Sequence, residues 1–227
     1  RRYQSPSARA PIKLLRPDSP RVVFTHRDMV QAQVGLFAAD ETYDPLHSVD
    51  YSFLTNYLDG GMSSLLFQEI RETRSLAYAV WGGYHRAAHK GDDSELSSGL
   101  GCQADKTIEA SSLLRPLTLD PPWSPDRFAQ TAKAIEQNYR TNPIQFRSVP
   151  SVLMTWENLG LPPGDPRPAQ FQRALRYTLA ELQGFAERFK QRPSTLYVLG
   201  HRDRVSLDQL KKLGRFEERR IAELFPY

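Results

Sequence analysis

The chain has 227 residues, 40% hydrophobic and 25% charged, enough for one sizeable core in a single domain or two at most. No run of about 18 apolar residues exists to span a membrane, no signal-peptide core follows Arg1, and a start on Arg instead of Met points to a fragment or a processed product. The net charge is +4, yet residues 1–27 carry +6 and the remaining 200 residues −2, so no nucleic-acid partner is expected: the basicity sits in a Pro- and Ser-rich leader, and the body lacks a Lys/Arg stripe interleaved with aromatics.

Residues 1–20 read as a leader or linker and 21–227 as the domain proper. "RVVFTHR" and "QAQVGLFAA" read as strands, the second with imperfect alternation of polar and apolar positions. "PLHSVDYSFLTNYL" places Leu46, Val49, Phe53, Leu54, Tyr57 and Leu58 at helical spacing. After Gly60 and Gly61, suited to a tight turn with positive φ, Met62, Leu65, Leu66 and Ile70 mark a second helix that ends near Arg74. "LAYAVWGGY" and "SELSSGLGC" are two further strands, joined by a polar connection whose Asp92 and Asp93 read as a solvated loop.

The second half is mainly helical. Ser124 as N-cap, Pro125 at the first helical position and Asp126 near the positive end open a helix with Phe128, Ala132, Ile135 and Tyr139 on one face. "SVPSVLMTWENLG" continues with another, and Thr178 with Glu181 and Ser206 with Gln209 match the capping box that starts two more. Between those two lies the buried strand "STLYVLG", and Gly214 stands at a helix C-cap position. This order of elements argues for an α+β fold with helices on one face of a sheet.

Metal and nucleophile chemistry find no frame in the residues. Of the five histidines, no two sit in a His-x-x-Glu-His or His-Glu-x-x-His pattern. His85 and His89 flank a strand end and a loop, where a spacing of four does not bring side chains together. Gly60-Gly61 lacks the Lys-Ser/Thr of a phosphate loop. The lone Cys102 reads as a small buried hydrophobe and can form no intrachain disulfide.

The stretch "GGMSSLLFQEIRETRSLAYAV" resembles the signature of the non-catalytic, C-terminal-half domains of insulinase-type (M16, pitrilysin-like) zinc metallopeptidases, with Arg71 seven residues before Tyr78. "QAQVGLF", "ADKTIEA" and the C-terminal "LKKLGRFEERRIAELFPY" are similar to the last domain of large bacterial multi-domain members. The resemblance implies a mixed, mainly antiparallel sheet with helices on one face. It also implies a division of labour: zinc and the general base sit on an N-terminal-type partner domain or subunit, and the two halves enclose a peptide substrate in a chamber.

In that family the Arg and Tyr of the motif reach toward the scissile carbonyl, so Arg71 and Tyr78 are the expected catalytic residues, with no metal and no cofactor in this chain. Negative charge grows on that oxygen during zinc-assisted attack, and donors aimed at it from a dry cavity favour the transition state. From the residues alone, Arg71 reads as a solvated helix arginine and Tyr78 as a packed strand residue. Trp81, Tyr84 and Trp156 read as core aromatics. Many relatives carry Gly where this chain has Ser75, a mild change expected to move the chain little. The alternative function is a catalytically silent structural or assembly subunit with the same fold. The compartment stays open, with a lean toward export from the bacterial resemblance.

Overall fold

The computed structural model describes residues 9–225. Strands β1 (Arg21–His26) and β2 (Gln31–Thr42) form where the apolar runs place them. In β2 the alternation is clean: Ala32, Val34, Leu36 and Ala38 are buried, while Gln31 and Gln33 are exposed. Helix α1 (Ser48–Asp59) buries Val49, Tyr51, Phe53, Leu54, Tyr57 and Leu58. Leu46, expected on that apolar face, lies in a preceding turn of 3-10 helix, Pro45–His47, and is 88% exposed. Asp44 opens that turn by accepting the Leu46 amide, so the α-helix starts too late to carry Leu46 inward.

Four more strands complete one sheet: β3 (Ala77–His85), β4 (Asp93–Gln103), β5 (Thr195–Gly200) and β6 (Arg215–Glu218), in the order β3-β4-β2-β5-β1-β6. The pairs β3–β4, β4–β2 and β2–β5 are antiparallel, and β1 runs parallel to both β5 and β6. The sheet is therefore mixed and mainly antiparallel. Helices α1, α2 (Thr107–Leu119) and α6 (Leu179–Lys190) share one apolar cluster with the inward residues of the strands. On the other face Phe37 contacts Trp81 and Tyr197, so Trp81 is an open-face aromatic and not a core one.

Helix α3 (Pro125–Thr141) begins as its cap residues dictate, with the Ser124 side chain accepting the Arg127 amide at 3.3 Å. It is followed by α4 (Val149–Asn158) and α5 (Arg167–Ala174). The Thr178–Glu181 capping box is formed in full at α6. The one expected at Ser206 is not: the helix there, α7 (Leu207–Leu210), spans four residues and has no side-chain cap. Gly214 serves a close approach and not a left-handed cap. Its φ is 165°, ordinary extended backbone, and a Cβ there would lie 2.5 Å from the Pro20 carbonyl oxygen. A last short helix, α8 (Ile221–Leu224), follows β6.

Asp92 and Asp93 are not a solvated loop. They are 4% and 7% exposed, because the basic leader folds back over them. Arg9 donates to both carboxylate oxygens of Asp92 at 2.9 and 2.8 Å, and the Ile12 amide donates to the same group at 2.9 Å. Lys13 and Arg16 lie 2.9 and 2.8 Å from the Asp93 carboxylate, and the Leu14 amide donates to it at 3.1 Å. Residues 1–8 of the leader lie outside the described residues.

Candidate functional site

The glycine turn after α1 sets the entry to the site. Gly61 has φ +104°, a conformation that disfavours side chains, and it accepts the Ser64 amide at 3.0 Å. Met62, expected on the buried face, is 76% exposed because this turn carries it outward, whereas Leu65, Leu66 and Ile70 are fully buried. The following segment, Phe67–Glu72, is a π-helix, with the Thr73 amide bonded to the Gln68 carbonyl at 2.9 Å. Such widened turns are concentrated at functional sites.

The chain then reverses. The Ser75 amide donates to the Arg71 carbonyl and the Leu76 amide to the Ile70 carbonyl, each at 3.0 Å, with Ser75 in the left-handed region at φ +51°. This is the backbone logic of a helix C-cap, and buried Leu76 and Ile70 supply the accompanying apolar contact. Strand β3 starts two residues later as the outermost strand of the sheet. Its register against β4 slips between Ala77↔Cys102 and Val80↔Leu100, so Tyr78 and Ala79 sit on a bulge. A bulge re-aims the side chains it carries.

The result brings Arg71 and Tyr78 together. The Arg71 guanidinium carbon lies 4.7 Å from the Tyr78 ring centroid and 4.7 Å from that of Phe67, so the cation is held between two aromatic faces. Its Nε is 3.5 Å from the Glu72 carboxylate, while the neighbouring Glu69 is taken by Arg74 at 2.7 Å. The two terminal nitrogens of Arg71 and the Tyr78 hydroxyl have no partner among the described residues, and Tyr78 is 82% exposed. Tyr78 is thus no packed strand residue. Phe67, one turn before Arg71, escaped the sequence reading, although its spacing of four from Arg71 was visible.

The other residues of interest are dispersed. Tyr84 is buried, stacked on Tyr51 at 3.8 Å, and donates to Asp40 at 2.9 Å; burial raises its phenol far above the ordinary value. Cys102 is 2% exposed, and burial pushes its thiol up, as suits an inert small hydrophobe. Among the described residues no group of three or more His, Cys, Asp or Glu is placed to hold a metal ion, so these residues do not fit zinc. No described helix is long and apolar enough to cross a membrane.

Residues 3–115, which include Arg71 and Tyr78, match the family described as the peptidase M16 inactive domain. The matched residues form a peptidase M16 C-terminal-type, inactive domain. This M16 domain is 41% identical over 73 residues to an uncharacterized zinc protease of Mycobacterium tuberculosis and to one of Mycobacterium bovis. Those alignments cover 32% of this chain and 17% of each relative, so the M16 domain matches only a small part of their length. In fold it is similar to the peptidase M16 inactive domain from Pseudomonas fluorescens, with a TM-score of 0.72 at 13% identity, over 87% of this chain and 47% of that one. A protease from Helicobacter pylori superposes with a TM-score of 0.66 at 15% identity, over 80% and 44%. At such identity the likeness speaks for the fold.

Proposed function

We propose that this domain is the non-zinc-binding half of an M16 metallopeptidase, and that Arg71 and Tyr78 bind the carbonyl of the scissile peptide and stabilise its developing charge. The zinc and the general base belong to an N-terminal-type domain facing it, in the same polypeptide or another chain. The reading is supported by the family match and, above all, by one observation: a guanidinium and a phenol share one surface, with the two terminal nitrogens of Arg71 and the Tyr78 hydroxyl unpartnered among the described residues. As a peptide carbonyl carbon becomes tetrahedral its oxygen gains charge, and donors already aimed at that oxygen stabilise it without reorganising.

Each residue type suits its role. Tyr78 offers one O–H on a short, stiff side chain. Arg71 offers a planar fork whose orientation is set by the rings of Phe67 and Tyr78, so little side-chain freedom remains to be lost when substrate binds. Facing the pair with a second half removes bulk water, which strengthens both interactions.

The test is peptide cleavage by the zinc-loaded assembly. Tyr78→Phe lowers kcat by about 10²-fold with KM little changed, the typical cost of one lost donor to a developing oxyanion. Arg71→Lys keeps the charge but loses the fork and falls by a similar order. Rates equal to wild type for both variants reject the role and favour a catalytically silent assembly subunit.

A further inference from the structure

A second site lies about 20 Å further along β3, six residues beyond Tyr78, on the helix-covered side of the molecule. It is a cavity of about 340 Å³ between α1, the end of β3, α3 and the segment after α4. Its size falls in the lower part of the range that small-molecule sites occupy, about 300–1,000 Å³. Five aromatic side chains line it, Tyr43, Tyr51, Tyr84, Tyr139 and Trp156, and the amides of Asn56 and Gln170 reach it as well.

Its electrostatics are one-sided. Arg86 is the charged residue of the lining, and no Asp or Glu joins it there. The Arg86 guanidinium carbon lies 5.8 Å from the Tyr43 ring centroid, and Arg86 forms no ion pair among the described residues. Other arginines packed on the domain do meet carboxylates: Arg192 reaches Asp40 at 2.6 Å and Arg173 reaches Glu181 at 2.8 Å. Tyr43 and Tyr139 do not neutralise it, since burial raises both phenols from their ordinary value and keeps them uncharged near neutrality. An arginine left without an acid at the mouth of an aromatic-walled cavity is complementary to a ligand with a flat apolar body and one carboxylate.

We propose that this cavity binds the C-terminal residue of a peptide, its aromatic or bulky apolar side chain among the tyrosines and Trp156 and its carboxylate on Arg86. A free amino acid is the poorer fit, because its ammonium group finds no acid in the lining, whereas a peptide carries a neutral amide at that place. Peptides with new C-termini are what a peptidase releases, so the site is suited to hold one cleavage product. It is independent of Arg71 and Tyr78 and stands or falls apart from them.

The test uses the 227-residue chain and three probes: N-acetyl-L-phenylalanine, its C-terminal amide and free L-phenylalanine. Calorimetry gives the affinities, and the indole N–H resonance of Trp156, assigned with Trp156→Phe, reports the place. N-acetyl-L-phenylalanine binds and shifts that resonance, and the amide and the free amino acid bind at least about tenfold more weakly, the size expected for one lost charged hydrogen bond. Arg86→Gln, at an exposed position, brings N-acetyl-L-phenylalanine down to the level of its amide and leaves the unfolding midpoint in place. Equal affinity for acid and amide, no shift at Trp156, wild-type affinity in Arg86→Gln, or free phenylalanine binding as well as the acetylated form each overturns the proposal.

Discussion

Among the described residues, Ser75 is the one residue other than glycine with positive φ, at +51°, and it forms the hinge between Arg71 and Tyr78. An L-residue in that region costs about 1–2 kcal/mol. Glycine removes the penalty but gives back about 0.5–1 kcal/mol in unfolded-chain entropy. Ser75→Gly therefore raises stability by about 0.5 kcal/mol, and Ser75→Val, β-branched, lowers it by about 1–2 kcal/mol. Urea unfolding midpoints with unchanged slope check both; a destabilised Ser75→Gly rejects the account. The Arg71–Tyr78 pairing depends on this reversal and on the bulge after Ala77. Spacing in the sequence identified the two residues through the family motif. It did not reveal Phe67 as the second face of the cation, because a helical spacing of four is common and says nothing about which pairs pack.

At the level of elements, two long-range ion-pair groups hold segments that carry few apolar contacts of their own. Residues 9–16 are fastened to Asp92 and Asp93, whose carboxyls are both held below the ordinary value: Asp92 chiefly by its hydrogen bonds to Arg9, and Asp93 because the upward push of burial, the largest single influence, is outweighed by Lys13, the Leu14 amide and Arg16 together. Asp93→Asn loosens this strap. Trypsin then cuts after Arg9 and Lys13 several-fold faster than in wild type, while the core fragment survives; unchanged cleavage shows that the strap holds without the charge.

The edge strand β6 is tied to β1 by Arg21, whose Nε and Nη2 donate to Glu217 at 3.1 and 2.7 Å. Arg21, with Arg215 and Arg219, holds the Glu217 carboxyl at about 2 instead of the ordinary 4.5. The unfolded chain therefore takes up this proton at higher pH than the folded one does. The stabilisation is complete above about pH 4.5 and is lost as pH falls toward about 2. Comparing unfolding midpoints of wild type and Glu217→Gln across that window checks it: the difference present at pH 7 shrinks to nothing at the acid end, and a difference independent of pH refutes it.

The whole molecule rests on one apolar cluster between the sheet and helices α1, α2 and α6. Leu114 of α2 and Phe53 of α1 are both 0% exposed within it. Leu114→Ala costs about 2–5 kcal/mol, depending on how far the site collapses. Calorimetry or chemical denaturation measures this, and a loss under 1 kcal/mol argues that α2 is peripheral. Helix α2 is also where the sequence was hardest to read. Pro116 lies inside it, where a residue without an amide hydrogen reads as a helix break, and Ser and Thr dilute the apolar stripe, so periodicity alone gave no helix there. Strand β6 escaped for a similar reason: "RFEE" has no apolar alternation, and its place comes from Arg21–Glu217 and the pairing with β1.

By itself the sequence determined what local rules govern. The capped helices α3 and α6, the strands with regular alternation, the absence of a zinc frame and the Arg–Tyr motif could all be read from neighbouring residues, since caps, turns and periodicity act within a few positions. Tertiary structure alone decided what depends on partners distant in the chain. It set the order of strands, the burial of Asp92 and Asp93 under a basic segment some 80 positions earlier, the exposure of Tyr78 on a bulged edge, and the cavity walled by four separate helices with Arg86 at its mouth. Contacts of that kind follow from how whole elements pack to bury apolar surface, and no window of sequence contains both sides of them.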